Sequence, residues 1–343
     1  MKNIVLSIIT LSSVFFFSGC NQEISTPKVE KVQKSQPQEK IKVIASKVQN
    51  NQLQEDIRVM ASNNSQDNIT VENIEKAFQA NGFLITGNNN MSTSFQKRFG
   101  GKKDYEMYRL MFVYHPAITT KLLKEYPEFG LLAPLSTSVY SKDGETIHIS
   151  SLSLTGMSRI SGVPETNVDL IELHNNMTKS LKTAMPNGNF QKLNFKIQRP
   201  DGEIITRFAF NMTNESGDIE EAKESYQEVM EGEIESNGFI VAGFNAINED
   251  LTEKGINDYD FYDSYSICKL EVIYPVHKLH PEVGALAPCT MYMYKKKGEK
   301  FTRMGYPSVY NWIMTTNIKD EESITPLIDA QNLLESTIDS TIE

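Results

Sequence analysis

The hydrophobic and polar positions of this chain run through the same succession twice. After Thr70, a residue able to cap a helix start, apolar side chains fall at Val71, Ile74, Ala77 and Phe78. That spacing of three and four marks one helix face, and Gly82 supplies the stop. In the second stretch Ile219, Ala222, Tyr226, Val229 and Ile234 form the equivalent stripe, and Gly238 is the stop. Short β-patterns follow at Phe83–Thr86 and Phe239–Ala242. Aromatic-rich runs at Tyr105–Tyr114 and Phe261–Tyr274 then read as central strands. Ala117–Tyr126 reads as a helix, Leu131–Tyr140 as a strand, and a Lys-Asp-Gly turn at 142–144 closes a hairpin onto Glu145–Leu152. Each stretch ends in a helix: Asp169–Met185, and Pro326–Ile338 with Thr325 as cap and Pro326 in the first turn. Leading strand pairs are expected at Ile41–Val48 with Asp56–Met60, and at Leu193–Ile197 with Ile204–Asn211.

The residues themselves recur as well. Asn81-Gly82-Phe83 returns as Asn237-Gly238-Phe239, and Asp104-Tyr105 through Tyr108 as Asp258-Tyr259 through Tyr262. Pro127-Glu128-Phe129-Gly130-Leu131-Leu132-Ala133-Pro134 returns as Pro281-Glu282-Val283-Gly284-Ala285-Leu286-Ala287-Pro288. Tyr140, Lys142, Gly144 and Glu145 match Tyr294, Lys296, Gly298 and Glu299. The last three blocks share one offset, 154 residues. Motifs in constant order and spacing imply a tandem duplication. The expected fold is therefore α+β, with two tandem homologous domains at 41–187 and 188–343, each a mainly antiparallel sheet with helices packed on one face. Pro186-Asn187-Gly188 is the expected boundary. Two copies of a self-pairing unit, joined by a short connection, are expected to form an intrachain pseudo-dimer.

Composition and the N-terminus add an address. Ile4–Phe17 is an apolar run behind Lys2, too short to span a bilayer but suited to a signal peptide. The following Phe17-Ser18-Gly19-Cys20 resembles the bacterial lipobox, with Phe17 where Leu is preferred. The resemblance implies that residues 1–19 are removed and that Cys20 is diacylated and becomes the new N-terminus. Residues 20–40, rich in Gln, Lys, Glu and Ser, read as a flexible tether. The formal charge of −10, or −11 once Lys2 is removed with the signal, argues against a nucleic-acid partner. The expected location is the bacterial cell envelope, lipid-anchored, periplasmic or surface-facing.

The second stretch carries Cys268 and then His280-Pro281-Glu282-Val283-Gly284-Ala285-Leu286-Ala287-Pro288-Cys289. This resembles the family called domain of unknown function 302, including the cysteine spacing of 21. The resemblance implies a small α+β domain, present twice, in a family that commonly dimerises and has no established activity. The first stretch departs from the motif, with Tyr114 and Leu135 at the cysteine positions. In the second, Lys269-Leu270 replaces the family's Asn-Pro. Chemistry requiring both thiols is therefore confined to the second domain.

Candidate chemistry is sparse. The chain has no CxxC, HExxH, Gly-rich phosphate loop or GxSxG elbow. Cys289, Met291 and Met293 alternate along one strand face, and thiolate with thioethers suits copper(I). Cys268 or His277 would complete such a site; ordinary core packing is the competing reading. A Cys289 nucleophile activated by His277 or His280 is a further reading. The acids of Asp258–Asp263 read as a solvated strand face opposite aromatic rings, or as a hard-cation site. His115 and His280 are expected at helix ends, and Trp312 in packing. Cys268 and Cys289 are expected unbridged if they sit on parallel strands, the end of one far from the start of the other. They come level if the strand runs on to Tyr274 and Pro275 opens a shorter helix. The pattern points to a binding, scaffold or sensor module for an unidentified envelope ligand or protein, not an assigned enzyme; the alternative is a thiol or copper site centred on Cys289.

Overall fold

The structure is a computed structural model that describes residues 30–31, 55–195, 202–212, 217–287 and 289–342. The signal peptide, Cys20, the strand expected at Ile41–Val48 and all of the tether except Glu30–Lys31 lie outside the described residues.

The fold is α+β, built on two antiparallel sheets. The first sheet uses β1 (Ile57–Asn63), β2 (Leu84–Asn90), β3 (Met107–Tyr114), β4 (Leu135–Ser141) and β5 (Thr146–Leu152). The second uses β6 (Ile205–Asn211), β7 (Ile240–Asn245), β8 (Tyr259–Cys268), β9 (Cys289–Lys296) and β10 (Thr302–Pro307). Their strand orders are β2-β3-β4-β5-β1 and β7-β8-β9-β10-β6, the same path drawn twice. Each sheet gains a two-residue sixth strand: Asn189–Phe190 beside β1, and Glu30–Lys31 beside β6. Those two residues of the expected tether are thus paired onto the second sheet.

The helices follow the same double succession: α1 (Val71–Gln79), α2 (Met91–Phe99), α3 (Pro116–Glu125), α4 (Leu154–Ser161) and α5 (Val168–Ala184), then α6 (Ile219–Ser236), α7 (Ile247–Glu253), α8 (Leu270–Leu279), α9 (Tyr310–Thr316) and α10 (Glu321–Thr341). Thr70 caps α1 by accepting from Asn73 N, and Ile74, Ala77 and Phe78 are its buried stripe. Asp218 caps α6, which buries Ala222, Tyr226, Met230 and Ile234; Val229 is exposed. Gly82 and Gly238 end the two helices with φ of +85° and +77°, the left-handed conformation that a side chain disfavours.

Several expected bounds move. The second aromatic strand ends at Cys268, not Tyr274, and residues 270–279 form α8 with Pro275 inside it. No strand forms at 193–195; β6 pairs instead with β10. The last helix begins at Glu321, capped by Asp320, so Pro326 sits inside it. The cap explains the shift: the Asp320 carboxylate accepts from Ser323 N at 2.9 Å.

Strand alternation assigns two faces to the second sheet. Asp263 and Tyr265 lie on the helix side, where Gln227 of α6 donates to both. Tyr262 and Ser264 lie on the other side and reach the first half: Tyr262 Oη donates to Pro127 O at 2.6 Å, and Ser264 Oγ to Ala133 O at 2.6 Å. The reverse contacts are made by Tyr108 Oη and Ser138 Oγ, which donate to Pro281 O at 3.2 and 2.8 Å. Each half therefore inserts its 3-10 turn, Pro127–Leu132 or Pro281–Ala285, against the sheet of the other. Tyr108 and Tyr262, like Pro127 and Pro281, are 154 residues apart, so the contact is reciprocal.

Candidate functional site

The second half holds a narrow apolar cleft, part of it open to solvent. Its floor is strand: Ile267 and Cys268 at the end of β8, Cys289 at the start of β9, and Tyr306 on β10. Its roof is helical: Val272 and Ile273 of α8, Trp312 of α9, and Leu327, Ala330 and Leu334 of α10. Its apolar lining with a few polar groups has the character, though not the volume, of a small-ligand site.

Besides the two thiols and the Tyr306 hydroxyl, three polar side chains line it. Gln331 is satisfied: its Oε1 accepts from Val309 N at 3.2 Å and its Nε2 donates to Thr206 Oγ1 at 2.8 Å. Trp312, the only tryptophan of the chain, is buried with its indole N–H unpartnered. Lys269 places its ammonium 4.7 Å from the centre of the Phe239 ring and donates to Asn237 O at 2.6 Å.

Cys268 and Cys289 both face this cleft, and both thiols are free. They are closer than the parallel-strand expectation required. β8 and β9 are antiparallel neighbours in which Ile267 pairs with Cys289, so the end of one strand lies beside the start of the next. Cys268, one position past that pair, lies near Cys289 without any extension of its strand to Tyr274. Burial pushes each thiol up to about 12, and for Cys289 the neighbouring Cys268 adds to the rise. Such thiols are weak nucleophiles near neutrality, because only the thiolate attacks.

The other predicted site residues do not converge on Cys289. Met291 and Met293 share its strand face, opposite Tyr265 and Asp263, but are fully buried under the helices. His277 lies in a cage of rings, 4.4 Å from Phe95 and 4.8 Å from Tyr108 by ring centres, both in the first half. Burial there lowers its pKa to about 4. His280 ends α8 and bonds the Asp320 carboxylate at 2.9 Å. Burial opposes its protonation, but the Glu282 and Asp320 contacts outweigh it and raise its pKa. His115 is at the N-cap of α3. No group of three or more His, Cys, Asp and Glu side chains among the described residues is arranged to hold a metal.

The Asp258–Asp263 acids do not share a solvated face. Asp263 is three residues from Asp260, so alternation sets it on the other face, and a register shift between Tyr259 and Phe261 disturbs the pattern further. Asp260 pairs with Lys295, whereas Asp263 is buried beside Lys223 at 3.8 Å. Burial pushes the Asp263 carboxyl up to about 6, against the pull of Lys223.

Sequence reasoning missed Lys269, Phe239 and Gln331 as cleft residues. Lys269 left one signal, its departure from the Asn-Pro of the family motif; Gln331 left none, because a polar residue on a helix is ordinary.

Among known proteins, residues 60–184 match the family described as "Domain of unknown function DUF302". The match covers the first half, the one without the two cysteines. The crystal structure of an uncharacterized conserved DUF302 protein from Bacillus stearothermophilus is 20% identical, with a TM-score of 0.33, over 40% of this chain and 98% of that one. No curated relative matches the chain. No helix among the described residues is long and apolar enough to cross a membrane.

Proposed function

We propose that this chain is an envelope lipoprotein, anchored through acylated Cys20, whose body is a binding module with its ligand site in the second half. The observation that carries the binding role is the apolar cleft under α8, α9 and α10. The anchor is supported by the lipobox-like Phe17–Cys20. The second half is proposed as a second copy of the domain matched in the first, on the shared strand order and the 154-residue offset. The reciprocal turn contacts support an intrachain pseudo-dimer. The first copy then acts as a permanent partner that supports the ligand-binding copy.

A neutral apolar dye such as N-phenyl-1-naphthylamine tests the cleft. The wild type is expected to enhance its fluorescence, and Cys289→Leu, which fills the cleft with the residue found at Leu135, to abolish the enhancement. Equal enhancement by both proteins contradicts the assignment of the site. For the anchor, Cys20→Ala is expected to move the protein from the membrane to the soluble fraction.

The thiol or copper reading survives in reduced form on one observation, the two free thiols on adjacent strands. Two thiolates suit a two-coordinate soft ion, without His277. Metal analysis of protein purified from the envelope tests it: stoichiometric copper, lost in Cys268→Ser, supports this reading.

A further inference from the structure

A charge at the edge of the cleft narrows what it would hold. Lys269 is the one basic or acidic side chain in the lining. Its ammonium is seated over Gly238, where a Cβ would lie 2.9 Å from Nζ. It donates to a single carbonyl, Asn237 O, and leans on the Phe239 ring. An ammonium has three donors, so this leaves capacity for an anion. Glu271, the acid two residues on, feels the Lys269 charge but engages Arg98 at 2.8 Å.

The first half shows what the same seat does without a charge. There His115 occupies the position of Lys269, and a Cβ on Gly82 would lie 2.6 Å from its Nε2. His115 meets Asn176 at 3.3 Å, and burial lowers its pKa, so it stays neutral. Tyr114 and Leu135 stand where the second half has Cys268 and Cys289, and both are buried. Cavity-lining small residues and a lysine at this seat therefore occur together, in one half only.

We infer that the cleft binds a medium-chain aliphatic carboxylate, its head on the Lys269 ammonium and its chain along the wall formed by Ile267, Val272 and Trp312. This rests on the proposed binding role and adds the ligand class. A single cation beside an otherwise apolar wall matches a single negative charge at the end of an apolar chain. The attraction is strengthened by the low polarity of the lining, where a charge-assisted hydrogen bond is stronger than in water.

Trp312 is both the only tryptophan and part of the wall, so its fluorescence reports the cleft alone. The full mature chain carrying Cys20→Ala, which needs no detergent, is titrated at low salt with decanoate, 1-decanol and acetate. Decanoate is expected to saturate the signal at about tenfold lower concentration than decanol, and acetate to give no signal. Lys269→Met, checked for folding by circular dichroism, is expected to make decanoate and decanol equivalent. If decanol binds as well as decanoate to the unmutated site, the carboxylate inference fails and the binding role stands. A decanoate preference that persists in Lys269→Met also overturns it, by placing the head elsewhere. If neither long-chain compound moves the signal, both readings fail.

Discussion

The two halves of this chain follow one strand path but close their cores differently. In the first, Tyr114 and Leu135 are buried at the ends of β3 and β4, and Tyr114 Oη reaches across to the Asp250 carboxylate at 2.7 Å. In the second, cysteines occupy both positions and the space between sheet and helices stays partly open. The difference is a matter of volume, since Cys is much smaller than Tyr or Leu and the surrounding backbone does not collapse to compensate. One strand path can thus hold a packed half and an open half, and the open half is the one with the charged seat at Lys269.

The contacts that join the halves show a second contrast. Both turns lie against a sheet through a glycine: a Cβ on Gly130 would meet Tyr262 Oη at 2.1 Å, and one on Gly284 would meet Ser138 Cβ at 2.3 Å. The neighbouring acids have different partners. Glu128 takes a two-pronged pair from Arg207, at 2.7 and 2.8 Å. Glu282 has His280 at 3.8 Å and lies among Tyr105, Tyr108 and Tyr140, whose pKa values burial raises and its charge raises further.

The sharpest way to break the comparison is at the paired positions Leu135 and Cys289. Leu135→Ala is expected to destabilise by about 3 kcal/mol, the cost of a cavity in a packed core. Cys289→Leu fills existing space and is expected to stay within about 1 kcal/mol of wild type, or to stabilise. Urea midpoints for the two variants measure this; equal losses would mean that the halves are packed alike.

Gly130→Ala and Gly284→Ala come next. Each forces a methyl into the sheet of the other half, so each is expected to cost about 2 kcal/mol by overpacking. If only one is costly, the reciprocity of the interface is formal and not energetic.

His277 tests the joint by pH. Its folded pKa is lowered to about 4, from an ordinary value of 6.5. Between those values the unfolded chain takes up a proton that the folded chain does not, so stability from this group is present above pH 6.5 and lost as pH falls towards 4. His277→Phe is expected to flatten that part of the pH–stability curve by about 1–2 kcal/mol. An unchanged curve would place the imidazole outside its ring cage.

The smallest effect belongs to the Arg207–Glu128 pair, which is about half exposed on the arginine side. Solvent screening discounts it, so Arg207→Gln is expected to cost below about 1 kcal/mol and to matter less in high salt. A larger loss would assign Arg207 a part in holding the turn itself.

Much of this architecture was legible in the residues. The helix stripe and cap at Thr70–Phe78, the glycine stops at Gly82 and Gly238, and the recurring Pro-Glu-x-Gly turn report local rules of spacing and backbone freedom, and local rules act wherever the residues stand. The misplaced ends were those set by distant partners. An apolar run through Phe261–Tyr274 suits strand and helix alike, and packing of α8 decided for helix beyond Cys268. The acids of Asp258–Asp263 read as one face, but Asp263 stands three residues from Asp260, an odd step that alternation sends to the other side, and a register shift at Tyr259–Phe261 disturbs the pattern further.

The sequence by itself determined the recurrence of its motifs at one offset, the α+β class and the restriction of the two thiols to one half, since each follows from residue order and type. Tertiary structure decided which groups meet. It set Cys268 beside Cys289 by running β8 and β9 antiparallel, carried His277 away into the rings of the first half, and brought Lys269 over Gly238 at the wall of the cleft. Those placements depend on contacts between residues far apart in the chain, whose closure is governed by how whole elements pack and not by any local pattern.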